Sequence, residues 1–241
     1  GATSGIGLAT ATKLVDAGAI VCIAARTQET LDEVKHELAA MKKGEVHAYK
    51  CDFSNMEDCD AFVAAVLKDH GHVDYLINNA GRSIRRSINH AFDRFHDYER
   101  TMQLNYFGSL RLIMGFSPSM LERRKGHSNV SFTTINMPLV RTPMIGPTKL
   151  YDSVPTLSPD DAADLIADAI INRPKRIATR LGTFAAVLHS LAPKLGEIVM
   201  NTGYKMFPDS VASKGKGSKE EKPKVSTEQI AFAAIMRGIH W

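Results

Sequence analysis

A glycine-rich stretch, Gly1-Ala2-Thr3-Ser4-Gly5-Ile6-Gly7, opens the chain and carries the strongest indication of its fold. Residues 6–17 have helical spacing and end at Gly18, and residues 19–25 form a nearly continuous apolar run typical of a buried strand. Glycines permit a tight turn and let backbone N–H groups approach a phosphate at a helix N-terminus. A glycine triplet alone is weak evidence, because glycines also serve plain turns. The helix and buried strand that follow favour a dinucleotide-binding turn.

Beyond this stretch, strand-like and helical patterns continue to alternate. Further strands are predicted at residues 45–51, 73–78, 132–137 and 176–179, and further helices at residues 29–41, 55–70, 97–122 and 159–171. Strands that alternate with long helices indicate parallel β-α-β units. The predicted fold class is therefore α/β, a doubly wound parallel (Rossmann) sheet with helices on both faces and a C-terminal helical extension.

The C-terminal third changes in character, and four regions are predicted. Residues 1–181 form the dinucleotide-binding domain, and residues 182–212 form an apolar helical extension on the substrate side, interrupted at Pro193. Residues 213–225 are a flexible Lys/Gly/Ser loop. Residues 226–241 are a final helix, because Ser226 and Gln229 have the spacing of a capping box.

Composition excludes several classes of protein. Of the 241 residues, 44% are hydrophobic and 23% charged, as in an ordinary soluble protein, and no apolar run is long enough to span a membrane. The net charge of +4 is too small to indicate nucleic-acid binding. Three cysteines without a disulfide framework or a signal peptide predict a reducing, cytoplasmic location. The nine histidines form no ligand pattern with the cysteines, so no metal site is expected.

The end of the second predicted strand bears on the choice of cofactor. NAD-binding proteins usually carry an acidic residue there, which bonds the ribose 2′-hydroxyl. Here Arg26 follows Ala25, and the first acidic residue is Glu29. A planar guanidinium pairs well with phosphate oxygens, so Arg26 favours NADP(H) over NAD. The alternative is an ordinary surface arginine.

Five short motifs occur in an order that identifies a resemblance. They are Gly1-x-x-x-Gly5-x-Gly7, Cys51-Asp52-Phe53, Asn78-Asn79-Ala80-Gly81, Asn105 within MQLNYFG, and the segment from Pro138 to Thr142. Each motif is weak by itself, but the ordered set resembles the classical short-chain dehydrogenase/reductase family over residues 1–179. Longer stretches such as NNAGRSIRRSI and INMPLVRTPMI look like those of bacterial fatty acyl-CoA reductases.

The resemblance implies a set of site residues. The cofactor-binding residues would be Gly1, Thr3, Ser4, Gly5, Ile6, Gly7, Arg26, Asp52, Phe53, Asn79, Ala80, Gly81, Pro138, Val140 and Thr142. Asp52 and Phe53 would contact the adenine, the 79–81 turn would line the ribose, and residues 138–142 would hold the nicotinamide end. The catalytic residue carried over from the family is Asn105, which would hold a water molecule of the proton relay. An Asn within an apolar helix also needs a hydrogen-bond partner for its own side chain.

The family's Ser, Tyr and Lys cannot be carried over. In the family the Lys lies four residues after the Tyr, yet none of the six tyrosines here has a lysine at that position. Residues 125–131 are all that separates the long predicted helix from the next strand, too few for a strand with its crossover helix. We expect that the intact protein contains this unit, near residues 128–131, and a strand before Gly1. The alternative is a deleted, inactive variant.

Three arginines and an apolar extension bear on the substrate. Arg82, Arg85 and Arg86 follow the Asn-Asn-Ala-Gly turn and could clamp phosphates of a carrier such as coenzyme A, or they could be a solvated basic loop. The apolar segment at residues 184–207 suggests a long acyl chain. The sequence thus predicts an NADP(H)-dependent reductase of a lipid-like small molecule, a fatty acyl-CoA or fatty aldehyde. The alternatives are a non-catalytic nucleotide-binding or assembly subunit and a membrane-surface role for the C-terminal part. The resemblance also implies a homo-oligomer, and the small net charge predicts no nucleic-acid partner.

Overall fold

The computed structural model describes residues 1–84, 86, 88–123, 130–146 and 156–206. Its helices are α1 (Gly5–Asp16), α2 (Gln28–Ala39), α3 (Met56–His70), α4 (Phe95–Met102), α5 (Ser109–Glu122), α6 (Pro159–Asn172), α7 (Arg180–Leu191) and α8 (Pro193–Met206). Its strands are β1 (Ile20–Ala25), β2 (Glu45–Lys50), β3 (Thr134–Asn136) and β4 (Arg176–Ala178). The predicted junction at residues 128–131 lies partly, and the predicted loop 213–225 and helix 226–241 lie entirely, outside the described residues.

The first half of the chain is a β-α-β unit with helices on both faces. Strands β1 and β2 pair in parallel, with Ile20 opposite Glu45 and Ala25 opposite Lys50. Helix α1 ends at Asp16, and Gly18, two residues later, has a left-handed φ of 84° that suits glycine. Leu31 and Leu38 of α2 pack against β1 on one face, together with Val15. Helices α3 and α5 cover the other face, as predicted for a doubly wound sheet.

A chain of aromatic rings organises the second face. Phe62 of α3 meets Phe53 and Phe116 edge-on, with ring centroids 5.9 Å apart in both pairs. Cys51 and Cys59 are fully buried beside these rings. The loop that follows β2 is therefore anchored in the core, which holds the adjoining residue Asp52 at the sheet edge.

The second half adds a smaller parallel pair. Thr134 lies opposite Arg176 and Asn136 opposite Ala178 in the pairing of β3 with β4. Helix α6 packs against α1, and Lys13 forms an ion pair of 2.8 Å with Asp164. Ser158 caps α6 in a reciprocal capping box with Asp161.

The strand predicted at residues 73–78 was wrong for the described structure. This segment pairs with no strand of the described chain, and a cavity of about 480 Å³ separates it from β1. Ile20 and Ile23 line one side of this cavity, and Tyr75 and Leu76 line the other. A strand is stabilised by ladder hydrogen bonds to a neighbour, so a strand-like sequence without an adjacent strand forms no strand.

Several element boundaries also differ from prediction. The helix predicted over residues 97–122 begins at Phe95 and contains a π-helical turn at Gln103–Gly108. The strand predicted over residues 132–137 is shortened to β3. The interruption expected at Pro193 is confirmed, because α7 ends at Leu191 and α8 begins at Pro193. None of the helices in the described part of the chain has the length and apolar character needed to cross a bilayer.

Candidate nucleotide-binding site

The glycine turn before α1 is sterically closed to side chains. A Cβ added at Gly7 would lie 2.0 Å from the carbonyl oxygen of Gly1, so no other residue fits without moving the backbone. Gly5 has a left-handed φ of 55°, which L-residues with side chains rarely adopt. The geometry of the turn thus requires glycine at these positions, where no side chain covers the backbone.

The first turn of α1 contains no side chain that neutralises the positive end of the helix dipole. Its N-cap, Ser4, forms no side-chain hydrogen bond to the first turn, and that turn contains no acidic residue. By contrast, Asn55 caps α3 and Ser158 caps α6, and acidic residues occupy the first turn of both helices. The free N–H groups and the positive end of the helix dipole at α1 suit an anion such as a pyrophosphate.

Arg26 and Asp52 lie at the same edge of the sheet. The residues that end β1 and β2, Ala25 and Lys50, are register partners, and the backbone N–H of Cys51 donates to the carbonyl of Ala25 over 2.9 Å. Arg26 is exposed. This edge therefore combines an exposed guanidinium with a carboxylate, beside the loop that leads to α3.

The carboxylate of Asp52 is held in its charged form. Ser54 donates to Asp52 Oδ1 through both its N–H (3.0 Å) and its hydroxyl (2.7 Å). Partial burial acts to raise the pKa of Asp52, but these hydrogen bonds and the charges of Arg26 and Arg82 outweigh it and lower the pKa. Asp52 is a fixed hydrogen-bond acceptor at neutral pH. The side chain of its neighbour Phe53 is buried, so Phe53 could touch a nucleotide only through its backbone.

The turn at residues 79–81 packs directly on the glycine turn. Asn79 Nδ2 donates to the carbonyl oxygen of Gly1 over 3.0 Å, and a Cβ at Gly1 would lie 2.8 Å from Ala80 Cα. Two motifs that are far apart in sequence therefore form one surface beside the N-terminus of α1.

Asn105 lies in the π-helical turn and fastens the chain after Gly81. Its Oδ1 accepts from the backbone N–H of Arg82, and its Nδ2 donates to the carbonyl oxygen of Arg82, both over 2.8 Å. These two bonds supply the hydrogen-bond partner that was expected for the side chain of Asn105. The π-turn also presses Gly108 against Phe53, because a Cβ at Gly108 would lie 2.2 Å from the Phe53 carbonyl oxygen.

The segment after β3 reaches the same surface. A Cβ at Gly5 would lie 3.0 Å from Thr142 Cγ2, so Thr142 closes one side of the glycine turn. Pro138 is half-buried, and Val140 is buried with Leu157 and Ala162 in a small cluster that Ile6 contacts. The structure thus brings together the predicted residues of the glycine turn, residues 79–81 and residues 138–142.

Of the three arginines after Gly81, Arg86 is already engaged by an acidic side chain. Arg82 is half-buried, Arg85 lies outside the described residues, and the largely buried Arg86 forms an ion pair of 3.5 Å with Asp97. Asp97 is buried and also accepts from Arg94 and Arg100. The sequence interpretation missed this cluster, although Arg94 and Arg100 stand three residues before and after Asp97, a spacing that places them near it on a helix.

Comparisons with known proteins agree with this geometry. The profile of the short chain dehydrogenase family matches residues 1–145. A protein of Acinetobacter baylyi named fatty acyl-CoA reductase is 43% identical over 280 aligned positions, which cover 100% of this chain and 93% of that protein. An uncharacterized oxidoreductase of Mycobacterium tuberculosis is 42% identical over 100% of this chain and 83% of its own length.

Two solved structures share the fold. L-sorbose reductase from Gluconobacter frateurii, complexed with NADPH and L-sorbose, superposes with a TM-score of 0.61 at 21% identity, covering 70% of this chain and 86% of that one. A metagenomic short-chain oxidoreductase in complex with NADP superposes with a TM-score of 0.54 at 27% identity, with the same coverage of both chains.

The alignment with the Acinetobacter protein also contains an internal length difference. It runs over 280 positions against 241 residues here, so 39 of its positions face no residue of this chain. The matched profile, the identity over the whole chain and the shared fold lead to one conclusion: the chain belongs to the short-chain dehydrogenase/reductase family of oxidoreductases.

Proposed function

We propose that this chain is an NADP(H)-dependent oxidoreductase that transfers a hydride between nicotinamide and a carbonyl or alcohol. The observation that carries the proposal is the assembly of the glycine turn, Asn79 and Thr142 around the uncapped N-terminus of α1. Arg26, level with Asp52 at the sheet edge, supports the phosphorylated form of the cofactor. The NADPH and NADP complexes of structures with the same fold are consistent with this choice.

Each part of the site has a role in this proposal. The N–H groups of α1 bind the pyrophosphate, and Arg26 pairs with the 2′-phosphate. Asp52 accepts from the adenine, the turn at residues 79–81 lines the ribose, and residues 138–142 orient the nicotinamide end. When bound, the cofactor supplies or accepts the hydride. Asn105, held by Arg82, positions a water molecule that relays protons.

The substrate proposed is a long-chain fatty acyl-CoA or fatty aldehyde. The name of the Acinetobacter relative, whose sequence aligns with the whole of this chain, supports it. Arg82 is half-buried next to Asn105 and is a candidate for contacting a carrier phosphate, together with Arg85. Arg86 is a weaker candidate because Asp97 already engages its guanidinium.

Proton transfer to the substrate needs residues beyond those described. No tyrosine of the sequence has a lysine four residues later, so the family's Tyr-Lys pair is absent from it. We infer that the catalytic Ser, Tyr and Lys belong to a strand-helix unit at the junction near residues 128–131. The 39 unmatched positions of the relative's alignment are enough for such a unit.

The missing Tyr-Lys pair favours a second candidate, a non-catalytic nucleotide-binding or assembly subunit. Calorimetric titration with NADPH, followed by NADPH consumption with palmitoyl-CoA and with hexadecanal, separates the candidates. The reductase proposal requires binding and turnover by a form that includes the strand-helix unit. Binding without turnover by that form supports the subunit, and absence of NADPH binding contradicts both.

We also propose that the protein forms a homo-oligomer through α4 and α5. Large apolar side chains on these helices are exposed, namely Phe95, Tyr98, Met102, Leu110, Met114 and Leu121. An apolar stripe of this length on one surface is typical of a protein interface. Sedimentation equilibrium tests this proposal, and a monomer at micromolar concentration would contradict it.

A further inference from the structure

Helices α7 and α8 form a hairpin that projects an apolar surface. Phe184, Val187 and Leu191 of α7 are exposed, Leu191 to 81%, and so are Leu195 and Ile198 of α8. The two helices approach closely, because a Cβ at Gly196 would lie 2.9 Å from His189 Nδ1. Among the described elements α8 is the principal neighbour of α7. The two helices therefore meet at the corner around residue 192, and the five apolar side chains remain exposed.

The charged residues in the segment that leads into and through this α7–α8 hairpin are mostly basic. Residues 181–193 contain no Lys, Arg, Asp or Glu, and Arg180 and Lys194 bound them. Residues 173–198 contain five basic residues, namely Arg173, Lys175, Arg176, Arg180 and Lys194, and one acidic residue, Glu197. A bare apolar surface with a basic border is complementary to the apolar interior and anionic headgroups of a lipid bilayer.

The length of α7 determines the mode of contact. Twelve residues of α-helix are too short to span the hydrocarbon core, and an apolar stretch of this length suits an interfacial segment. We propose that the α7–α8 hairpin docks on the surface of a bilayer that contains anionic lipids, with Phe184, Val187 and Leu191 inserted at the headgroup boundary and Arg180 and Lys194 at the phosphates. This site does not depend on the proposed enzymatic function.

Vesicle sedimentation of the full chain tests the proposal. We expect co-sedimentation with vesicles of phosphatidylcholine and phosphatidylglycerol, and weaker binding to phosphatidylcholine alone or at high salt. Leu191→Asp should reduce vesicle affinity about tenfold or more, because it removes the burial of one large apolar side chain. The control Phe92→Asp changes an equally exposed side chain in the turn before α4, outside the proposed oligomer interface, and should leave affinity unchanged.

Several outcomes would overturn the proposal. They are no binding by the unaltered chain, equal loss in the Leu191→Asp and Phe92→Asp variants, and binding that Leu191→Asp leaves intact, which would place the contact elsewhere, such as residues 207–241. A change of oligomeric state in Leu191→Asp without vesicles would assign the surface to a second copy.

A spectroscopic measurement covers the case in which Leu191→Asp fails to fold. Trp241 is the only tryptophan, so Phe184→Trp combined with Trp241→Phe places a single indole on α7. The emission should shift to the blue on addition of anionic vesicles, and brominated lipids should quench it. An unshifted, unquenched emission contradicts the proposal.

Discussion

The side-chain amide of Asn79 donates a hydrogen bond of 3.0 Å to the carbonyl oxygen of Gly1, a residue 78 positions earlier in the chain. This bond joins the glycine turn to the turn that follows residues 73–78. Among the described residues no strand ladder joins these two turns, because residues 73–78 do not pair with β1. The position of the glycine turn relative to residues 79–81 therefore depends on the side chain of Asn79.

Replacing Asn79 by Ala should weaken NADPH binding about threefold to tenfold, since one hydrogen bond contributes about 0.5–1.5 kcal/mol. Calorimetric titration measures the change. Asn78→Ala is the matched control, because that neighbouring side chain is exposed. Equal losses in the two variants would show that the bond to Gly1 has no special role.

Gly7→Ala should destabilise the protein by about 1–3 kcal/mol, because overpacking forces the backbone to move. The added Cβ would meet the Gly1 carbonyl oxygen at 2.0 Å. Gly81→Ala is the control, since its Cβ would have only Asn105 Oδ1 at 3.6 Å and Asn79 O at 3.9 Å nearby. Urea denaturation compares the two, and a Gly7 variant as stable as the Gly81 variant would contradict the close packing of the turn.

Arg26→Asp should reverse the cofactor preference toward NAD. The change removes the cation proposed for the 2′-phosphate, worth about 1.5–3 kcal/mol for a charged hydrogen bond, and places an acceptor where a ribose hydroxyl would lie. Affinities for NADPH and NADH should be measured for this variant and for Lys35→Asp, the same charge change on the exposed face of α2. An unaltered ratio in the Arg26 variant removes Arg26 from the site.

Asp97 should contribute to the free energy of unfolding at neutral pH, and this contribution should be lost in acid. The hydrogen bond from Arg94 is the main cause that lowers the pKa of Asp97 from 3.8 to about 2; burial opposes it and Arg100 assists it. Because the folded pKa is depressed, the stabilisation is complete above the unfolded value and is lost as pH falls through the folded value.

Asp97→Asn tests this dependence. The variant should be less stable than the unaltered protein near neutral pH, and the difference should shrink between pH 3.8 and about 2. Urea unfolding at a series of pH values measures it, with the exposed Asp93→Asn as the control. A difference independent of pH over this interval would mean that the carboxylate charge is not the source of the stability.

Local sequence patterns determined most of the first half of the fold. Helical periodicity, the apolar run of β1, the strand-like pattern of β2 and Gly18 act through nearest neighbours along the chain, and the structure places these elements near their predicted positions. The glycine turn belongs to the same class, because the left-handed φ of Gly5 and the missing side chain of a glycine are properties of that residue itself. These features could be predicted because the forces behind them act within a few residues.

Tertiary structure decided which residues meet. The segment at residues 73–78 has a strand-like sequence but pairs with none of the strands that the structure describes, and Asn105 finds its partner in Arg82, 23 residues away. Arg86 forms an ion pair with Asp97 and is not part of a solvated basic loop, because the buried carboxylate of Asp97 needs cationic partners. Such contacts depend on which surfaces the folded chain brings together, and periodicity along the sequence does not predict them.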